Sequence, residues 1–156
     1  MDLESVIEEL NISELSLEEK ILIKKAQEIS ESAYAPYSKF QVGASIRLRS
    51  GIFLQSNNQE NVSFPAGLCA EHSLLAYSGA NFPEDPPAQM AIVAKRSGED
   101  TWAGVSPCGI CRQVIQESEN RHQSAISLLI LQPNQRVIRV GGVKNLLPFS
   151  MDDLSK

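Results

Sequence analysis

Positive charge is scarce in this chain. It has 156 residues, with 14 Lys and Arg against 19 Asp and Glu, for a net charge of −5. No run of basic residues is present that could track a phosphate backbone, so binding to a nucleic acid polymer is not expected. No apolar stretch approaches the ~20 residues needed to cross a bilayer, and no membrane span is expected. No basic start leads into an apolar run, so no secretory signal is read at the N-terminus. Repeats, low-complexity runs and long linkers are also missing, which leaves a single domain. Hydrophobic residues make up 42% of the chain, enough for a proper core. Cysteine is limited to three residues and histidine to two. An odd set of free thiols points to a reducing compartment, the cytoplasm.

What is present is concentrated between Asn58 and Cys111. Two short motifs there hold all three cysteines: Cys69-Ala70-Glu71 and Pro107-Cys108-Gly109-Ile110-Cys111. A Cys-x-x-Cys pair places two thiolates on one tetrahedral zinc at about 2.3 Å each, and Cys69 can supply a third. An open fourth position, free for water, marks a catalytic centre rather than a structural one. Glu71 is an acidic residue with hard oxygen donors beside soft sulfur ligands, which suits a proton carrier better than a fourth ligand. Three other readings stay open at this point. A Cys-x-x-Cys pair can be a redox couple, but that leaves Cys69 and Glu71 unexplained. His72 can close a structural Cys3His site. The thiols can also be buried and metal-free.

Along the chain, residues 1–15 are acidic, with apolar Leu3, Val6, Ile7 and Leu10 at helical spacing. They predict a short amphipathic helix packed on the domain. Ser16-Leu17-Glu18-Glu19 is a capping box that opens a helix to about residue 32. Strands are predicted at 40–48 and 52–54, joined by Ser50-Gly51, and then at 90–94, 125–131 and 136–140. Helices are predicted at 68–77 and 108–117, each opening at a cysteine, and a helical turn at 142–147. The order suggests one mixed α/β sheet of about five strands sandwiched by helices. Helix N-termini carry partial positive charge and favour thiolate there. Three thiolates leave a zinc site one negative charge in excess. The two helix starts, with Arg112, can offset it, although a helical arginine is more commonly a surface residue.

Five segments together resemble the small, homotetrameric, zinc-dependent cytidine deaminases. They are Tyr37-Ser38-Lys39-Phe40-Gln41-Val42-Gly43-Ala44, Asn58-Gln59-Glu60-Asn61, Cys69-Ala70-Glu71, Ser106-Pro107-Cys108-Gly109-Ile110-Cys111-Arg112-Gln113-Val114 and Leu146-Leu147-Pro148. The likeness covers about residues 34–154. Cys-x-Glu followed by Pro-Cys-x-x-Cys matches the zinc nucleobase-deaminase signature. The resemblance implies a deaminase-like domain over 16–156 with an extension at 1–15. It implies a Zn2+ cofactor on Cys69, Cys108 and Cys111, and Glu71 as proton shuttle. It places Phe40 against the pyrimidine, Asn58 and Glu60 on the ribose hydroxyls, the Ala70 N–H on the base carbonyl and the Ser106 backbone on the leaving amine. The implied reaction converts cytidine and deoxycytidine to uridine and deoxyuridine, as in pyrimidine salvage. Glu60 would repel a phosphate, so a free nucleoside suits the pocket better than a nucleotide.

The chain departs from the family in three places. His72 stands where an arginine commonly follows Cys-Ala-Glu; it is expected to donate to a thiolate rather than bind zinc. Met151 stands near the family's C-terminal phenylalanine, with Phe149 two residues earlier. Phe64 replaces a frequent tyrosine. Two competing functions are a deaminase of another cytosine-bearing compound, such as a nucleoside antibiotic, and a non-catalytic zinc-binding interaction protein. A substrate panel separates the first, and retention of Glu71 argues against the second.

Overall fold

A computed structural model describes residues 7–152. Its elements are strand β1 (Ile7–Asn11), helix α1 (Leu17–Ser30), strands β2 (Phe40–Leu48) and β3 (Phe53–Asn57), helix α2 (Ala70–Asn81), strand β4 (Pro87–Arg96), helix α3 (Gly109–His122) and strands β5 (Ser127–Leu131) and β6 (Arg136–Gly141). The six strands form one sheet in the order β1-β6-β5-β4-β2-β3. The β4–β5 pair is parallel and the other neighbours are antiparallel. The expected mixed α/β sheet is therefore present, with six strands where about five were expected.

The central strands are apolar on both faces because both faces are covered. Successive side chains alternate across a strand. Met90 and Ile92 of β4, with Leu128 and Ile130 of β5, join Leu74 and Leu75 of α2 and Ile115 of α3 in one core. Ala91, Val93, Leu129 and Leu131 join Leu22, Ile23 and Ala26 of α1 in the other. So α1 covers one face, while α2 and α3 lie together on the opposite one.

The capping box forms as expected. Ser16 Oγ accepts from the Glu19 amide at 3.2 Å, and a Glu19 carboxylate oxygen accepts from the Ser16 amide at 3.4 Å. The same Glu19 takes both oxygens to Arg139 Nη2, at 2.9 and 2.7 Å. That arginine explains a correction to the N-terminal segment. Residues 7–11 form a strand, not the expected helix, and a single 3₁₀ turn, Ile12–Glu14, follows it. Residues 1–6 lie outside the described ones. β1 pairs with β6, placing Glu8 opposite Arg139, and Glu9 also reaches Arg136 at 3.2 Å. Opposite charges facing across a ladder stabilise the pair, and β6 offers a backbone edge that a free helix would leave unsatisfied.

The proline-rich stretch before β4 also has a task. The carboxylate of Asp85 accepts from the Ser50 amide at 3.0 Å and from its hydroxyl at 2.5 Å, and the Pro86 carbonyl accepts from the Arg49 amide at 2.9 Å. It clasps the β2–β3 turn. β4 extends beyond the expected 90–94 at both ends because its ladder with β2 continues, to Phe40 opposite Arg96.

The position of β2 depends on Gly43. A Cβ there would lie 1.9 Å from the Ala26 carbonyl oxygen of α1 and 2.9 Å from its carbonyl carbon. Backbone cannot swing aside as a side chain can. Gly43→Ala is expected to destabilise the protein by about 3 kcal/mol through overpacking, read as a lower midpoint in urea unfolding.

Candidate metal centre and active site

Because α2 and α3 pack on the same sheet face, their N-termini meet. Cys69 is the N-cap of α2 and Cys108 the N-cap of α3, both with extended backbone. Neither thiol caps its own helix, so both remain available to a third party. Cys111 lies one turn into α3, on the same face as Cys108, and is buried. The three Sγ atoms all lie within 4.8 Å of one another. Tetrahedral zinc with 2.3 Å bonds needs sulfurs about 3.8 Å apart, so the triad fits that ion with little adjustment.

Electrostatics point the same way. The Cys69 thiol is held down to about 7, first by a hydrogen bond from Cys111, against its partial burial and the charge of Glu71. Cys111 is pushed upward, first because it donates to Cys69, then by burial and by Glu71. The hydrogen bond between them thus favours charge on Cys69 and restrains ionisation of Cys111. A divalent ion removes that restraint, since coordination deprotonates a thiol outright.

Glu71 sits in the first turn of α2, 4% exposed, with Oε2 3.5 Å from Cys111 Sγ. Burial raises its carboxyl above the ordinary carboxylate range. A carboxyl that holds a proton nearer neutrality is suited to general acid and base work. A cavity of about 690 Å³ opens over this cluster. Its walls include Phe40, Asn58, Glu60, Ala70, Glu71, Ser106 and the three cysteines, so the structure gathers residues from four separate stretches of chain. Ile92 of β4 lies in the same wall. Nothing in the motifs singled it out, since its signal is only that of a core strand.

Two expected neighbours of the sulfurs stand elsewhere. His72 lines a second cavity of about 220 Å³, with Ser78, Val114 and His122. It is absent from the ligand cluster. Successive helical residues differ by about 100°, so a buried Glu71 on the sulfur side turns His72 away. Arg112 donates from Nε to the Pro107 carbonyl and from Nη1 to the Leu146 carbonyl, both at 2.8 Å. Among the described residues none of its hydrogen bonds reaches a sulfur. It fixes the backbone before Cys108 and ties down the C-terminal segment, which leaves the helix N-termini to offset the thiolate charge. Phe64 is exposed and meets Tyr37 edge-on at the cavity mouth, with ring centroids 6.1 Å apart. Gln113 pins the backbone of Met151, while Phe149 is 96% exposed.

Fold and site together define a class: single-domain α/β proteins with an open three-cysteine metal centre and a buried acid beside it. Comparison with known proteins gives the family. The family described as "Cytidine and deoxycytidylate deaminase zinc-binding region" matches residues 17–126. A cytidine deaminase of Sporosarcina psychrophila is 37% identical over 136 residues, 86% of this chain and 93% of that protein. One of Halalkalibacterium halodurans is 40% identical over 101 residues, 65% of this chain and 72% of that protein. The crystal structure of the Burkholderia pseudomallei cytidine deaminase superposes with a TM-score of 0.68 at 29% identity, covering 88% of this chain and all (100%) of the other. The chain belongs to the zinc-binding cytidine and deoxycytidylate deaminase family.

The metal centre is open to a direct test. The protein is expected to retain one zinc per chain after dialysis, and Cys111→Ala less than about a tenth of that, because thiolate ligation provides the binding. His72→Ala is expected to keep its zinc. Metal analysis by atomic absorption reads all three.

Proposed function

We propose that this protein catalyses the zinc-dependent hydrolytic deamination of cytidine and deoxycytidine, giving uridine and deoxyuridine. The observation that carries this reading is a buried Glu71 beside three clustered cysteines on one cavity wall. A structural zinc has no use for such an acid. The relatives named above are cytidine deaminases, which agrees.

Cys69, Cys108 and Cys111 would hold the zinc, which would supply a Lewis acid able to lower the pKa of water toward neutrality. The chain's own residues do the rest. Phe40 lies against the pyrimidine ring and the Ala70 N–H meets the base carbonyl. Asn58 and Glu60 take the sugar hydroxyls. Glu71 delivers a proton to N3 and then carries one to the amino group at C4. That group leaves as ammonia past the Ser106 backbone, so cytidine and water give uridine and ammonia. Ala70 and Cys69 begin α2, so the base carbonyl faces the positive end of that helix.

Assembly is part of the proposal. Val62, Phe64 and Ile110 are 79%, 77% and 66% exposed, and the last two line the cavity mouth. An apolar rim of this kind suits contact with further copies of the chain; the homotetramer itself rests on the resemblance to the small homotetrameric deaminases. Among the described residues no helix is long and apolar enough to cross a membrane. Three free cysteines suit a reducing cytoplasm.

Glu71→Gln is expected to lower kcat for cytidine by about a thousandfold while zinc is retained, since it removes the group that moves protons. Ultraviolet absorbance follows the conversion to uridine, and near-normal turnover by this variant would refute the role of Glu71. Sedimentation velocity tests the assembly. A tetramer is expected, and a stable, active monomer contradicts it.

A further inference from the structure

One hydroxyl in the cavity wall has a role not covered by the deamination chemistry. Ser38 lies in the turn that leads into β2. Its Oγ donates to Glu60 Oε2 at 2.5 Å and accepts from the Phe40 amide at 3.1 Å. Its own amide and that of Tyr37 donate to Glu60 Oε1, at 3.1 and 3.0 Å. Between Ser38 and Phe40, Lys39 has φ +58°, a left-handed conformation that residues with a Cβ seldom adopt. Such a conformation persists where its surroundings over-determine it. Here the Lys39 amide donates to the Ala35 carbonyl at 3.1 Å, and its carbonyl accepts from Ser97 at 2.8 Å.

A carboxylate offers about four lone-pair sites. The Tyr37-Ser38 turn occupies three of those on Glu60, and the remaining one is on Oε2, in a residue that lines the cavity. Asn58 is engaged in the same way. Its Oδ1 accepts from the Val42 amide and its Nδ2 donates to the Phe40 carbonyl, both at 2.9 Å. The two polar residues assigned to the sugar therefore also hold the strand that carries Phe40. Partial burial pushes the Glu60 carboxyl up, but the Ser38 hydroxyl, the two amides and the charge of Lys39 together outweigh it and hold it below its usual range. A serine that accepts from the amide two residues on is by itself an ordinary turn device. That device does not account for the bond to Glu60.

We propose that Ser38 is a positioning residue that sets the Glu60 carboxylate as the acceptor for a sugar hydroxyl and fixes the main chain of Phe40, so that recognition of sugar and base is coupled through one side chain. The inference rests on the nucleoside-deaminase reading. It adds that Ser38 acts through Glu60 and does not move protons.

The test is a double-mutant cycle on the zinc-loaded protein with Ser38→Ala, Glu60→Gln and their combination, with Ser38→Thr as the conservative rescue. Ser38→Ala is expected to raise KM for cytidine about tenfold with kcat within about twofold, the scale of one charge-assisted hydrogen bond made equally in ground and transition states. Ser38→Thr restores most of the loss, and the double variant loses clearly less than the sum of the two single losses. A carbon-13 NMR titration of the Glu60 carboxyl gives a readout independent of turnover: its pKa rises in Ser38→Ala and not in Ser38→Thr. An unchanged KM in an active Ser38→Ala, additive losses, or a fall in kcat and melting temperature without a change in KM overturns the inference. If the parent protein binds zinc yet does not turn over cytidine, the nucleoside reading fails. The titration then decides Ser38, and an unmoved Glu60 pKa overturns its positioning role as well. If Ser38→Ala does not fold, Ser38→Cys, of similar volume and a weaker donor, takes its place in the same cycle with the same outcomes.

Discussion

Three sulfur atoms within 4.8 Å of one another are the constraint on which the structure depends. Three thiolates that close repel strongly, and three thiols do not bind metal. The protein meets the conflict by starting two helices at one point. Cys69 and Cys108 cap α2 and α3, so both positive helix ends face the sulfurs. This works only if the two helices lie side by side on one sheet face. That arrangement is set by the apolar alternation of β4 and β5, which sends Met90, Ile92, Leu128 and Ile130 to meet them. Core and metal centre are thus two consequences of one packing arrangement.

The part of the cavity wall around Tyr37–Val42 is held by different means. There the backbone of the Tyr37–Val42 segment is tied to Asn58 and Glu60 by side-chain hydrogen bonds. Behind it α1 approaches β2 so closely that only a glycine fits at position 43. One wall is positioned by hydrophobic packing and helix dipoles, the other by polar clamps around a strained turn. On the proposed function, the polar wall is the one that meets the sugar, where acceptors must be aimed, and the packed wall is the one that serves the chemistry, where water must be limited.

At the far edge of the sheet, β1 gives β6 a partner through a ladder reinforced by Glu8, Glu9, Arg136 and Arg139. Arg139 also joins that edge to the start of α1 through Glu19. Charged residues here serve pairing rather than solubility alone, and they shield a strand edge that would otherwise invite another chain.

Much of this was legible in the residues. Cys108 and Cys111 are three apart, and Cys69 and Glu71 two apart, at the predicted starts of helices; covalent spacing alone limits where such side chains can go. The capping box at Ser16 and the apolar run of β5 follow from local chemistry in the same way. The direction of His72, the partners of Arg112, the strand at residues 7–11 and the bridge made by Ser38 were not legible. Each depends on which groups from distant parts of the chain come close, and a short charged segment or a lone polar side chain takes its conformation from those neighbours. The sequence by itself determined the candidate ligands, the candidate acid and the mixed α/β architecture, because those rest on local spacing, periodicity and the family's short motifs. Only the tertiary structure decided which polar groups face the sulfurs and which hold the walls, because side-chain direction is set by packing against partners far away in the chain.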